Sequence, residues 1–285
     1  MKILDGKKCS ANLKEHLAQM VQDLNIRPSL HIIRVGEDAA STVYVHNKYR
    51  ACIDYGCGCT IHHFGSDVAE HVVAQRIKML NNNPEVHGIM LQLPIPKHLD
   101  EHYLVNLISP DKDVDGLTDV NVGKLTHGVS DAIISATPLG ILRLLQFYNI
   151  DVAGKNVTIV GRSNIVGRPL AALMTNENAT VTLCHSNTEN LMEHTKTADI
   201  LVVAIGKAGF LTGDMVKPGA TVIDVGINRD ADGKLCGDAD FDSVVEKASY
   251  ITPVPGGVGP MTVAALLENV VDCAILNMRK NSEFF

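Results

Sequence analysis

The sequence predicts an α/β protein of two domains, one of them Rossmann-like, on three observations. Short apolar runs alternate with amphipathic stretches along the chain, the pattern of parallel strands covered by helices. The 285 residues are enough for two domains. Finally, the stretch from Lys155 to Pro169 turns a strand through two glycines directly into a helix.

That turn organises the second domain. Val157 to Val160 is a β-branched apolar run that reads as a buried strand, ended by Gly161. Pro169 to Met174 reads as the opening of a helix, with Pro169 suited to its first turn. Free backbone N–H groups and the positive end of a helix dipole then face one point, which suits a phosphate or pyrophosphate. The Gly161-x5-Gly167 spacing differs from Gly-x-Gly-x-x-Gly, and by itself an ordinary tight turn fits as well. The next strand, Ala179 to Cys184, ends in His185-Ser186-Asn187 with no acid to hold a ribose 2′-hydroxyl. Arg162 follows the first glycine. An arginine and a serine, with His185 beside them, suit a 2′-phosphate, so NADP is expected rather than NAD.

The remaining elements follow the same alternation. Lys7 to Leu24 is periodic as a helix, with Leu13, Leu17, Met20 and Leu24 on one face. Strands are expected at Leu30–Val35, Thr60–Phe64 and Val86–Leu91, and helices at Ser41–Tyr55, Val68–Leu80 and His98–Ile108. A short helix at Val120–Leu125 and one at Leu139–Asn149 lead to the glycine turn. Beyond it come a helix near 188–196, strands at Ile200–Ile205 and Thr221–Val225, a helix at Phe241–Ala248 and a strand near Tyr250. Pro253 to Pro260 is a loop stiffened by prolines and opened by glycines. Met261 to Met278 is a long apolar helix expected to pack back on the first domain. The expected domains are therefore 1–137 plus 261–285, and 138–260.

Composition narrows the function. The chain is 46% hydrophobic and 20% charged, the profile of a soluble protein with a substantial core. A net charge of -7 argues against nonspecific nucleic-acid binding. No apolar run is expected to span a bilayer, and the first residues hold no apolar signal core, so the cytoplasm is expected. The seven cysteines form no paired Cys-x-x-Cys sets. Even Cys57-Gly-Cys59, with His62 and His63 nearby, lacks a usual zinc spacing, so reduced thiols and no metal are expected.

Three stretches of the first domain carry candidate chemistry. Tyr44 and Lys48 are i and i+4 on one helix face. Such a pair binds a flat heterocycle, and burial adapts the lysine to proton transfer; on spacing alone, a snorkelling surface lysine fits better. Gln92 closes an apolar strand, where it either caps the sheet or faces a ligand crevice. Asp111, Asp113 and Asp115 crowd the turn before Gly116. A carboxylate there matches the adjacent N–H donors of a pterin edge, while a solvated Asx turn accounts for the same residues.

Taken in order, Tyr44-x-x-x-Lys48, Gln92-Leu-Pro-Ile-Pro96, Pro110 to Gly116, Gly161-Arg-Ser-x-Ile-Val-Gly167 and Thr252 to Thr262 resemble a known family. It is the bifunctional methylenetetrahydrofolate dehydrogenase/methenyltetrahydrofolate cyclohydrolase (FolD) family, and the resemblance spans essentially the whole chain. It implies an active-site cleft between the domains, where 5,10-methylenetetrahydrofolate is oxidised with NADP and the methenyl product is hydrolysed to 10-formyltetrahydrofolate. It also implies a homodimer and a supply of one-carbon units to purine biosynthesis. By this resemblance Lys48 is the acid/base residue, Gln92 tunes it, Asp115 grips the pterin, and Tyr44 stacks on the aminobenzoate ring. Gly257 and Val258 would line the gap between nicotinamide and folate. Gly161, Arg162, Ser163, Ile165, Val166, Gly167, His185, Ser186 and Ile227 would hold the cofactor. Where the family usually has Pro-Cys-Thr-Pro, this chain has Ser135-Ala136-Thr137-Pro138, so the thiol is absent while the Thr-Pro turn is kept. A dehydrogenase without hydrolase activity leaves Lys48 with Gln92 unexplained. A small-acid dehydrogenase of the shikimate type leaves the Thr252–Thr262 motif unexplained. A noncatalytic NADP-binding regulator has no use for Tyr44, Lys48, Gln92 and Asp115 together.

Overall fold

The computed structural model describes residues 2–24 and 27–282. In chain order the elements are β1 (Lys2–Ile3), α1 (Gly6–Leu24), β2 (Ser29–Val35), α2 (Ala39–Asp54), β3 (Gly58–Phe64), α3 (Glu70–Asn81), β4 (Gly88–Leu91), α4 (Glu101–Asn106), α5 (Asp119–Thr126) and α6 (Ala136–Phe147). There follow β5 (Asn156–Val160), α7 (Gly167–Asn176), β6 (Thr180–Cys184), α8 (Leu191–Thr195), β7 (Ile200–Val203), β8 (Thr221–Asp224), β9 (Asn228–Arg229), β10 (Leu235–Cys236), α9 (Phe241–Val245), β11 (Tyr250–Ile251) and α10 (Val258–Ser282). Contacts divide the chain into two units. One is Met1–Asn12, Leu125–Val129 and Thr137–Thr262; the other is Leu13–Lys124, Ser130–Ala136 and Val263–Phe285.

The first unit is built on a six-stranded sheet in the order β1-β11-β8-β7-β5-β6, with every pairing parallel. Strands β7 and β8 are buried along their whole length, as continuous apolar runs inside a parallel sheet should be. The order reverses at β5, whose following strand β6 lies on one side and β7 on the other. Such a switch point opens a crevice beyond the carboxyl ends of the two diverging strands. The first strand belongs here, because Lys2 and Ile3 pair with Tyr250 and Ile251. This placement differs from the expected 1–137 domain, because two residues are too short a run to show a strand period. The antiparallel β9-β10 pair was missed for the same reason.

The second unit holds a three-stranded parallel sheet, β3-β2-β4. Its core gathers Ile33 and Val35 of β2, Val73 and Ile77 of α3, Ile89 and Leu91 of β4, and Leu104 of α4. In α1, Leu17 is buried and Leu13 and Met20 are half-buried, as the periodicity requires; the side chain of Leu24 lies outside the described residues. Helix α2 starts where the Asp38 carboxylate accepts the Ser41 N–H at 2.7 Å, and Gly56, at a φ of +78°, follows its end. Helix α4 starts at Glu101 rather than at His98, because the Asp100 side chain caps the Tyr103 N–H.

Helix α10 corrects one expectation. Its stretch from Val258 to Arg279 is long and apolar enough to cross a bilayer by length and composition, yet most of it is buried within the protein. Leu266, Leu267, Val270, Val271 and Ala274 are each at most 1% exposed, which identifies a core helix. Asn269 anchors it by donating Nδ2 hydrogen bonds of 2.8 Å to the carbonyls of both Val114 and Ile134. Asn269→Ala would leave both acceptors unpaired in a buried site. It is expected to cost roughly 2–4 kcal/mol, read as a lower urea midpoint at unchanged m-value.

Candidate active site

In the second unit, α2 buries one face through Ser41, Val45 and Cys52, and Lys48 falls on that same face. This is why Lys48 does not snorkel. Its Nζ donates to Gln92 Oε1 at 3.0 Å and lies 3.7 Å from Met90 Sδ. Gln92 follows β4 and is 8% exposed. Its backbone N–H bonds to Ile33 O, extending the β2–β4 pairing by one residue. Its side-chain Nε2 bonds to Leu93 O at 2.6 Å, which fixes the amide so that Oε1 points at the lysine. Gln92 is therefore both sheet end and lysine partner.

The turn after α4, from Pro110 to Gly116, carries the aspartates. Lys112 Nζ donates to the carbonyls of Leu80, Asn81 and Asn83, pinning the turn to the end of α3. Asp113 is 1% exposed and is consumed by the turn: its carboxylate accepts Thr118 N, Thr118 Oγ1 and Asn121 Nδ2. Gly116 sits at a φ of +63°, and a β-carbon there would lie 2.5 Å from Ile133 O. Asp115 is left outside this network, near enough to Lys48 for the two charges to influence each other. Burial pushes its carboxyl up to about 6, against the pull of the Lys48 charge, and Asp113 adds to the rise. Burial likewise lowers the Lys48 ammonium from its ordinary value, partly countered by Asp115 and Cys52. Asp113 is thus bound into the turn, while Asp115 carries the carboxyl raised by burial. Tyr44, one turn before Lys48, is 47% exposed and stands as an open aromatic plate.

In the first unit, the glycine turn sits at the switch point. Gly161 has a φ of +125°, and a β-carbon on it would collide with Ala204 O at the end of β7. A β-carbon on Gly167 would collide with Gly161 O. Both glycines are therefore required for strand, turn and helix to approach this closely, and the turn leads straight into the N-terminus of α7. Ser163 Oγ accepts the Val166 N–H, and Arg168 N bonds to Ser163 O, closing the turn into α7. Gly161 N bonds to Cys184 O, which brings the end of β6 beside the turn. Arg162 and Ser186 are both exposed there, and His185 is half-buried with its Nδ1 accepting the Asn187 N–H. Ile165 and Ile227 are exposed apolar side chains, 50% and 54%. Ile227 lines a pocket of about 190 Å³ with Asp224, Gly256, Gly257 and Val258. Sequence reasoning missed Met90 beside Lys48 and the structural task of Asp113. It also missed the buried pair Asp224 and Asp238, whose only sequence signal is that each stands next to a strand end or a glycine.

All seven cysteines are free thiols, five of them buried. Among the described residues no three His, Cys, Asp or Glu side chains gather as a metal site.

A parallel-sheet unit with a glycine turn at its switch point, and a second unit carrying a desolvated lysine bonded to an amide, define a dinucleotide-dependent α/β enzyme class. Comparison with known proteins gives the family. The NAD(P)-binding domain of tetrahydrofolate dehydrogenase/cyclohydrolase matches residues 135–278, and the catalytic domain of the same family matches residues 4–115. The chain is 50% identical over 284 residues to the bifunctional protein FolD of Campylobacter concisus, covering 99% of this chain and 100% of that relative. A crystal structure of the bifunctional FolD enzyme of Campylobacter jejuni superposes with a TM-score of 0.94 at 45% identity, covering 97% and 99% of the two chains. The Trypanosoma brucei enzyme, solved with NADP and an inhibitor, gives 0.92 at 34% identity, with 98% of each chain covered. The chain belongs to the tetrahydrofolate dehydrogenase/cyclohydrolase family.

The two glycines of the turn generate a direct test. Gly167→Ala is expected to destabilise the protein by roughly 1–3 kcal/mol and to weaken NADP binding. Gly123→Ala, where a β-carbon meets nothing within 4 Å on helix α5, is expected to be neutral or stabilising by up to about 1 kcal/mol. Thermal melts with and without NADP check both.

Proposed function

We propose that this protein is a bifunctional folate one-carbon enzyme. It oxidises 5,10-methylenetetrahydrofolate to the 5,10-methenyl cation with NADP and hydrolyses that cation to 10-formyltetrahydrofolate. The observation that carries the reading is the 3.0 Å contact of Lys48 Nζ with Gln92 Oε1, on a lysine whose charge burial disfavours and Asp115 supports. The alternative, a dehydrogenase without hydrolase activity, gives that contact no task.

The residues divide the work as follows. Tyr44 stacks on the aminobenzoate ring, and the Asp115 carboxylate accepts two adjacent N–H groups of the pterin. Lys48 moves the proton. With its charge disfavoured by burial, neutral Nζ takes a proton from water as the oxygen adds to the methenyl carbon. The resulting ammonium returns that proton to N5, and the neutral Nζ then takes the remaining hydroxyl proton as the N5–carbon bond breaks, leaving the formyl group on N10 and one net proton to pass from the lysine to solvent. Gln92 holds Nζ in place and stabilises its charged form through Oε1. The bound dinucleotide supplies the hydride acceptor for the oxidation, a step that depends on positioning more than on a base.

The Gly161–Gly167 turn, with Ser163, Ile165 and Val166, cradles the pyrophosphate. Arg162, His185 and Ser186 surround the 2′-phosphate, and Ile227 packs against the nicotinamide half. Gly257 and Val258 line the pocket that Ile227 shares. The functional division we infer keeps 138–260 as the NADP domain, with the first twelve residues added to it, and the rest as the substrate domain. A cytoplasmic homodimer completes the reading, and sedimentation of the purified protein tests the dimer.

Purified protein given 5,10-methylenetetrahydrofolate and NADP should form NADPH without accumulating methenyl product, and should consume added methenyltetrahydrofolate. NADPH formation with accumulating methenyl product would leave the dehydrogenase-only reading. Lys48→Gln should slow methenyl hydrolysis by about 100-fold or more, with a smaller effect on hydride transfer measured with saturating substrate. Arg162→Ala should lower selectivity for NADP over NAD by roughly 10- to 100-fold, the worth of a charge-assisted bond to phosphate, read from the ratio of kcat/KM values.

A further inference from the structure

Two buried carboxylates lie at the carboxyl edge of the six-stranded sheet, outside the residues assigned above. Asp238 is fully buried and Asp224 is 4% exposed. One oxygen of Asp238 accepts the N–H groups of Ile205 at 2.7 Å and Gly206 at 3.0 Å. The other accepts Lys207 N at 2.7 Å and Asn228 Nδ2 at 2.8 Å. Asp224 accepts the N–H groups of Gly226, Asp238 and Ala239 at 2.8–2.9 Å, and its own N–H bonds to Thr252 Oγ1. Gly226 and Gly237 pack so closely on these carboxyl groups that a β-carbon on either would collide with them.

The geometry has a direction. The loops so tied are those leaving β7 (Ile205–Lys207) and β8 (Gly226–Asn228), and Ile227 stands between the tied residues. The phosphate cradle lies at β5 and the Arg162–Ser186 corner at the end of β6, on the far side of the switch point. A dinucleotide laid along the carboxyl edge with its 2′-phosphate at β6 and its pyrophosphate at β5 must place its other half over β7 and β8. We infer that Asp238 is a positioning residue for the nicotinamide half of NADP: by collecting four N–H donors from two loops it fixes the β7 and β8 ends against which that half lies, while the adenosine half is held independently at β5 and β6. Asp224 orients the backbone of Asp238 and so supports it at one remove. The inference rests on the NADP reading above.

The two halves of the ligand separate the test. Calorimetric titration of the full-length protein with NADP and with 2′,5′-ADP, which carries only the adenosine half and both phosphates, would be run on wild type, Asp238→Asn and Asn228→Ala. In Asp238→Asn the NH2 group meets N–H donors and cannot accept from them; Asn228→Ala removes a single tether and is the variant to rely on if the first does not fold. The expected result is an NADP dissociation constant raised about tenfold or more in Asp238→Asn and severalfold in Asn228→Ala, with 2′,5′-ADP binding within about twofold of wild type in every folded variant. Equal weakening of both ligands, or no change in either, would overturn the inference. A wild-type protein that binds neither ligand would overturn the cofactor reading itself, which is a different result.

Discussion

A lysine ammonium withdrawn from water must be compensated or must shed its proton, and the second unit is arranged around that constraint at Lys48. The helix that carries it buries Val45 and Cys52 on the same face, so the lysine has nowhere else to go. Compensation is partial by construction. Gln92 offers one neutral acceptor, fixed in orientation by its own bond to Leu93 O. Asp115 offers a charge that burial weakens by pushing its carboxyl up to about 6. A full, close ion pair would hold the lysine protonated at every working pH. An unpaired lysine would carry the whole desolvation penalty. The arrangement between these limits suits a group that must both take and give a proton.

Buried carboxylates serve the rest of the fold as loop clamps. Asp113 closes the turn that presents Asp115. Asp224 and Asp238 close the loops beyond β8 and β7. In each case a side chain with several acceptor sites satisfies backbone N–H groups that no ladder or helix reaches, which is how irregular backbone becomes rigid enough to hold a ligand. Glycine performs the complementary task at Gly161, Gly116 and Gly226, where close approach of backbone or carboxyl leaves no room for a side chain.

Much of this was legible in the sequence. The strands β2, β4, β5, β7 and β8 are apolar runs bounded by turn residues, and each stands where the periodicity placed it. The glycine turn and the Tyr44–Lys48 spacing gave the site its candidates. What the sequence could not carry was partnership. Spacing showed that Lys48 lies one turn from Tyr44, but only the fold shows that Lys48 also falls toward the face buried through Ser41, Val45 and Cys52 while Tyr44 stays exposed. Three aspartates in five residues are equivalent on paper, and hydrogen bonds from residues five and eight positions away distinguish Asp113 from Asp115. Strand β1 and the β9-β10 pair are two residues each, and only their partners reveal them. Helix α10 starts three residues earlier than its apolar run, inside the proline–glycine motif.

The central claim is that burial shifts Lys48 toward its neutral form, and the most direct test is the titration of its ammonium nitrogen. In protein with ¹⁵N-labelled lysine side chains, followed by NMR against pH and assigned by the signal missing from Lys48→Gln, the account predicts that the Lys48 Nζ resonance titrates clearly below the 10.5 of an ordinary lysine. A Lys48 that titrates at or above 10.5 would mean that Asp115 and Gln92 fully hold its charge, and the proton-transfer role given to it would be contradicted.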